Sequence, residues 1–229
     1  KDIHDRIPVI LNNQELLKQN KCVKISNIIK TFGHLTAVNS FGENLFPNEI
    51  FVLLGHNGAG KSTLIKILSG VEEPDQGSYL YEGQSLFENK NLLFRHLGLC
   101  QQDDIYFDYL TVEEHLNYIC EIKGSNLDKE KTTDLIQKID LYSKKDYLSG
   151  TLSGGQKRKL CLAMALIGES DIIYLDEPTS GMDVLAKKSL WDFLKTYKKN
   201  KTIVLTTHSL DEAEYLADRI GIVSEGIYI

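Results

Sequence analysis

Between residues 22 and 29 valine and isoleucine alternate with polar side chains, the two-residue period of a strand with one buried face. A second segment, 37–46, leads through Pro47 and Asn48 into 50–54, a short unbroken apolar run suited to a fully buried strand. From Lys61 onward the period changes. Leu64, Ile65 and Leu68 fall at helical spacing, so strand, loop and helix follow one another without a gap. A turn over 73–77 precedes a strand at 78–81, and 97–100 is another short apolar run ending at Gln101 and Gln102.

The middle of the chain reads differently. Thr111 with Glu114 forms a capping box ahead of Leu116, Ile119 and Ile122, which predicts a helix to Lys123 that Gly124 stops. A second helix is predicted over 129–139, and 103–165 as a whole reads as a helical subdomain inserted between strands. Beyond it, 171–175 and 202–206 are strand candidates, 211–217 opens a helix, 220–223 is a strand, and Glu225–Gly226 turns the chain into 227–229. Residues 1–21, interrupted by Pro8, read as an N-terminal extension or linker with a short helix from about Asn13. One domain, 22–229, is expected, with a core of 22–102 and 166–229 and the helical subdomain at 103–165.

Composition narrows the class. With 229 residues, 42% of them hydrophobic and 25% charged, the chain can bury a real core. A net charge of −6 argues against a nucleic-acid footprint, and the basic runs at Lys198–Lys199 and Lys157–Lys159 read as solvated helix faces or ends. Cys22, Cys100, Cys120 and Cys161 stand far apart among mostly apolar neighbours, which fits reduced thiols rather than disulfides or a metal site. No stretch approaches a membrane span and no signal peptide is visible, so any work at a membrane is expected from its aqueous side.

Gly55, Gly60, Lys61 and Ser62 match the phosphate-loop pattern GxxxxGK[ST], with His56, Asn57, Gly58, Ala59 and Thr63 completing the stretch. The glycines leave room for backbone N–H groups to form an anion nest at a helix N-terminus. Lys61 is expected to reach the β- and γ-phosphates, and Ser62 to give its hydroxyl to Mg²⁺. Ser153–Gly154–Gly155–Gln156, opening onto the apolar run 160–167, is a weaker anion-binding signal of the same kind. Asp176 and Glu177 end an apolar strand just before Pro178. Such a pair can be a plain helix cap; beside a phosphate loop it reads better as a Mg²⁺ acid followed by a water-activating base.

GHNGAGKS at 55–62, Gln102, LSGGQ at 152–156, IIYLDE at 172–177 and His208 stand in one order over roughly 22–229, and together they resemble the nucleotide-binding domain of an ATP-binding cassette protein. The resemblance implies an α/β fold: a P-loop NTPase core with a mixed sheet, an antiparallel β subdomain and an inserted α-helical subdomain. It implies an ATPase in which Asp176 orients Mg²⁺, Glu177 polarises the attacking water, His208 contacts the γ-phosphate, and Gln102 contacts both Mg²⁺ and water. Phe32, alone an ordinary core aromatic, falls where the family stacks a ring on adenine. Leu152, Ser153, Gly154, Gly155 and Gln156 would complete the site of a partner domain packed head to tail, and Asp183 would lie on the loop between the two sites.

Some positions depart from the pattern. Gln101 stands where proline is common, and Gly181 and Met182 replace the commoner residues of the interface loop. GHNGAGK, FDYLTVEEHL at 107–116 and LSGGQKRKL at 152–160 are most similar to subfamily A, the large eukaryotic exporters associated with lipids, and His56 resembles the first cassette of such chains. On this reading the partners are a second nucleotide-binding domain and transmembrane domains, with no nucleic acid, the place is the cytoplasmic face of a membrane, and Asp103–Leu110 receives a short helix from the membrane domain through Tyr106, Phe107 and Tyr109. Two other classes compete: a soluble cassette ATPase without transport, which would show a basic surface, and an ATP-binding switch with little hydrolysis, which the presence of Lys61, Glu177 and His208 disfavours.

Overall fold

The computed structural model describes residues 12–125, 128–168 and 170–229. Residues 12–18 form helix α1, as the sequence led us to expect, whereas the rest of the predicted extension, 1–11, lies outside the described residues. Next come strands β1 (Val23–Phe32), β2 (Leu35–Leu45) and β3 (Glu49–Leu54), then helix α2 (Lys61–Leu68). β4 (Gln76–Tyr81), β5 (Gln84–Ser85), α3 (Lys90–His96) and β6 (Leu97–Cys100) lead to α4 (Val112–Lys123), α5 (Lys129–Lys138) and α6 (Gly154–Leu166). The chain closes with β7 (Ile172–Asp176), α7 (Val184–Tyr197), β8 (Thr202–Thr207), α8 (Leu210–Leu216), β9 (Arg219–Ser224) and β10 (Ile227–Tyr228). α3 and α7 were not predicted.

The described strands form one mixed sheet in the order β5-β4-β1-β2-β10-β9-β3-β8-β7-β6. β9, β3, β8, β7 and β6 are parallel, and β1, β2, β4 and β5 are antiparallel. β10 joins the two parts, antiparallel to β9 and parallel to β2. This is the expected α/β fold with a mixed sheet.

β3, β7 and β8 are buried on both faces, which is why they read as apolar runs, whereas β9 alternates buried and exposed positions. Ile50 and Val52 of β3, Ile173 and Leu175 of β7, and Ile203 and Leu205 of β8 enter one cluster with residues of α4, α5, α6, α7 and α8. Their neighbours Phe51, Leu53, Ile172, Tyr174 and Val204 face the other way, onto α2 and the antiparallel strands. A hydroxyl–hydroxyl hydrogen bond of 2.7 Å between buried Tyr79 and Tyr174 ties the antiparallel strands to the core. All four cysteines are buried, and none forms a disulfide among the described residues.

Helix α4 has the capping box foreseen for it, with Thr111 Oγ1 accepting from Glu114 N and Glu114 accepting from Thr111 N, and it ends at Gly124 in the left-handed region. α6 packs so tightly on β6 that a Cβ on Gly98 would stand 1.9 Å from the carbonyl oxygen of Ala165. Only glycine permits that approach. Gly98→Ala is therefore expected to lose about 1–3 kcal/mol of stability through overpacking, read as a lower urea midpoint at unchanged m-value.

Candidate functional site

Parallel register brings the predicted groups to one rim. Leu54 pairs with Thr207, and Asp176 pairs with Thr206, so the segments leaving β3, β7 and β8 start side by side at their C-terminal ends. In open α/β sheets ligands bind at that edge. Gly55–Gly60 leaves β3, Asp176 ends β7 with Glu177 next in the chain, and His208 follows β8.

The loop's shape rests on two glycines. A Cβ on Gly55 would meet the carbonyl oxygen of Val223 at 2.3 Å, and one on Gly60, at φ 104°, would meet that of Ala37 at 2.1 Å. Gly58 is different: its φ is 81° but its Cβ position faces open space. Gly55 and Gly60 thus seat the loop against β9 and β2, and Gly58 keeps its outer wall low. Gly226 N donates to Ala59 O at 2.9 Å, a further tie to the β9–β10 turn.

Lys61 begins α2 and is buried. Its Nζ donates to the carbonyl oxygens of Gly55 at 2.7 Å and His56 at 3.0 Å, and stands 4.0 Å from Glu177 Oε1. Burial lowers its pKa, against the opposing pull of Glu177 and Asp176. The ammonium is held by weak neutral acceptors inside the loop, poised for a stronger anionic one.

Asp176 is buried and accepts from Thr206 Oγ1 at 2.5 Å. Glu177 lies in the left-handed region at φ 47°, a strained choice for a non-glycine residue that costs roughly 1–3 kcal/mol and clusters at functional sites. Its N–H is held by Thr206, and its Oε1 lies 3.2 Å from His208 Nδ1. The next helix, α7, starts at Val184 and is capped by Asp183, which disposes of the helix-cap alternative for the acidic pair.

Ser62, Gln102 and Asp176 line one small cleft of about 40 Å³. Phe32 closes β1 opposite Leu35, exposed, with Lys30 Nζ 5.1 Å from its ring centre. From Leu35 the strand runs directly to Ala37, whose carbonyl touches Gly60, so the aromatic sits at the hairpin beside the loop. His56, Asn57, Ala59 and Thr63 lie in the loop and the start of α2, Ala59 fully buried.

The remaining predicted residues lie at the starts of two helices, α6 and α7. Ser153 caps α6 in a reciprocal box with Gln156, Ser153 Oγ accepting from Gln156 N and Gln156 Oε1 from Ser153 N. Leu152 is buried, while positions beside Gly154 and Gly155 face nothing within 4 Å. The Asp183 carboxylate accepts from Leu185 N and Ala186 N, and these bonds, that from Ala186 foremost, lower its pKa.

Two groups escaped the sequence reading. Arg158, expected within a solvated basic run, is buried and reaches the backbone of both Gln101–Gln102 and Asp176–Pro178. Its spacing to Cys161, Leu162 and Ala165 puts it on the apolar face of α6, and that was the available signal. Buried Glu212 of α8 accepts from Thr179 Oγ1 and Trp191 Nε1, both at 2.9 Å, locking the segment after Glu177 to α7 and α8.

A second cavity, about 450 Å³, opens beside Ile105, Tyr106, Phe107, Tyr118 and Ile119. Buried His115 shapes its wall: His115 Nε2 accepts from Phe107 N at 2.9 Å, and Nδ1 lies 2.8 Å from Thr111 O.

The ABC transporter family profile covers residues 38–180. An ABC transporter A family member 2 of Dictyostelium discoideum is 43% identical over 215 residues, 91% of this chain and 13% of that protein. The phospholipid-transporting ATPase ABCA3 of Mus musculus is 40% identical over 210 residues, 89% of this chain and 12% of that protein. The chain thus spans about an eighth of the length of such relatives. Among solved structures, an ATP-binding subunit of an ABC transporter superposes with a TM-score of 0.81 at 26% identity, covering 90% of this chain and 87% of that one. A bacterial ABC transporter cassette solved as a dimer superposes with a TM-score of 0.80 at 23% identity, covering 89% and 95%, a likeness of fold.

Burial holds the His115 pKa below its ordinary value, against Thr111 and Glu114. The folded protein therefore resists a proton that the unfolded chain accepts near pH 6.5, and stability falls as pH drops below that value until the folded pKa is reached. His115→Gln should lose less stability than wild type between pH 8 and 5.5, measured by urea unfolding at both pH values.

Proposed function

This chain belongs to the ABC transporter family as an ATP-binding, ATPase-class domain, and from that premise we propose how its residues bind and hydrolyse ATP and what they drive. The observation that carries the proposal is the convergence of Lys61, Glu177 and His208 within hydrogen-bonding or ion-pair reach on the rim of the parallel sheet.

Gly55 to Thr63 wraps the phosphates with backbone N–H groups at the start of α2. Lys61 exchanges its carbonyl partners for β- and γ-phosphate oxygens, a stronger, charge-assisted bond. Phe32 offers an exposed ring to adenine; stacking of this kind is worth about 1–3 kcal/mol in base recognition. Glu177, freed from Lys61 once phosphate takes the ammonium, accepts a proton from the attacking water. His208 donates to the γ-phosphate from a ring nitrogen that Glu177 orients.

The oxygen donors of Ser62, Gln102 and Asp176 on one cleft fit a hard divalent cation such as Mg²⁺. Thr206 holds one oxygen of Asp176, and among the described residues no protein donor is bonded to the other. When bound, Mg²⁺ would neutralise charge on the phosphate oxygens.

Ser153–Gly155 form a helix start with open space beside both glycines, which supports the head-to-tail dimer in which Leu152–Gln156 complete a second domain's site. Ser153 keeps a hydroxyl proton to donate there, since its cap bond uses only a lone pair. Asp183 meets that interface while capping α7. The division into a core (22–102 and 166–229) and a helical subdomain (103–165) fits this reading, with α6 spanning the boundary. The apolar groove at Ile105–Phe107 would receive a helix from transmembrane domains, at the cytoplasmic face of a membrane. The names of the relatives from Dictyostelium and mouse support transport, and the mouse protein's name supports a lipid cargo.

Lys61→Ala tests the assigned chemistry. ATP binding should fall at least about 100-fold with the loss of a buried charge-assisted contact, measured by calorimetry on the folded variant. Retained micromolar binding would contradict the phosphate role.

A further inference from the structure

We propose that Arg158 is a positioning residue that couples the two halves of the machinery, holding the backbone of Gln101–Gln102 and of Asp176–Pro178 in fixed relation to the helix that presents Ser153–Gly155. The inference rests on the functional reading above and adds a residue that no sequence motif assigned.

The geometry is specific to a guanidinium. Nε donates to Pro178 O at 3.2 Å, and Nη2 donates to Asp176 O at 2.6 Å and Glu177 O at 2.9 Å. Nη1 donates to Gln101 O at 2.5 Å, Gln102 O at 3.1 Å and Asp104 Oδ1 at 3.1 Å. The planar fork carries five N–H donors in a fixed arrangement. Lysine, a single ammonium, cannot span both segments.

Both segments are irregular backbone bearing side chains of the site. Glu177 has positive φ, and its own carbonyl converges with that of Asp176 on one nitrogen. The strained turn that aims the proposed base is therefore closed from behind by Arg158. Arg158 lies only a turn of helix beyond Ser153, the cap of α6. A shift of the Gln102 segment or of Glu177 on binding ATP is thus carried to the open end of α6 without passing through the sheet.

One further detail separates a coupling joint from a rigid strut. Nη1 has two hydrogens and faces three acceptors, of which the Asp104 carboxylate is half-exposed. The Gln102 segment can exchange one acceptor for another while the guanidinium stays satisfied. The buried charge remains paired in either arrangement.

The test compares wild type, Glu177→Gln and Arg158→Lys in melting temperature, ATP binding by calorimetry, and kcat and KM for phosphate release. In Arg158→Lys, ATP affinity and KM should stay within about threefold, while kcat falls about 30–100-fold, the range expected when a reacting group is displaced by about 1 Å. Hydrogen exchange, run where the chain stays monomeric with ATP, should show ATP-dependent protection at both 101–104 and 154–157 in wild type. In Arg158→Lys it should persist at 101–104 and vanish at 154–157.

Unchanged kcat, an equal fall in affinity and kcat, or protection of 154–157 that survives the substitution would overturn the coupling role. If Arg158→Lys does not fold, Arg158→Gln, which reaches one carbonyl pair at most, carries the same readouts, and in wild type an absence of ATP-dependent protection at 154–157 alone overturns it. Hydrolysis that persists in Glu177→Gln would instead count against the functional reading itself.

Discussion

The structure depends on the register of three parallel strands. β3, β8 and β7 are in step from Glu49–Thr202 and Ile172–Thr202 to their last residues, so the phosphate loop, the acidic pair and His208 begin at one level. A slip of one residue would turn each strand's buried side chains onto the wrong face, and two apolar clusters hold the register from both sides. The chemistry of the rim is thus fixed by hydrophobic packing several residues away.

At that rim the protein holds arrangements that ligand would relieve. Lys61 is buried with neutral carbonyl partners, Glu177 occupies a backbone region that side chains disfavour, and consecutive carbonyls after β7 point at a single guanidinium. These features cohere with the phosphate site proposed above, since strained backbone and buried charge cluster at functional sites. Gly55 and Gly60 show the same economy, since each marks a place where β9 or β2 comes too near for any side chain.

Much of this was legible in sequence because local chemistry determined it. The phosphate loop, the α4 capping box and the strands of the parallel core each carry their signal within a few residues. α7 was missed because Asp183 had been read for an interface loop, although the same carboxylate caps the helix and Leu190, Phe193 and Leu194 follow at its spacing. α3 buries only Leu93 and so leaves almost no apolar period to detect. Arg158 was misread for a different reason: between two lysines its charge suggested solvent, while all but one of its hydrogen-bond acceptors are backbone carbonyls, up to 57 positions away. No local pattern encodes such acceptors.

The most direct measurement is the molecular mass of the domain in Mg-ATP, by light scattering, for wild type and Glu177→Gln, alongside phosphate release. The account predicts that the variant binds ATP, doubles in mass only when ATP is present, and releases no phosphate. A variant that hydrolyses ATP at the wild-type rate would contradict the role of Glu177, and one that binds ATP yet stays monomeric would contradict completion of the site by Ser153–Gly155 of a second copy.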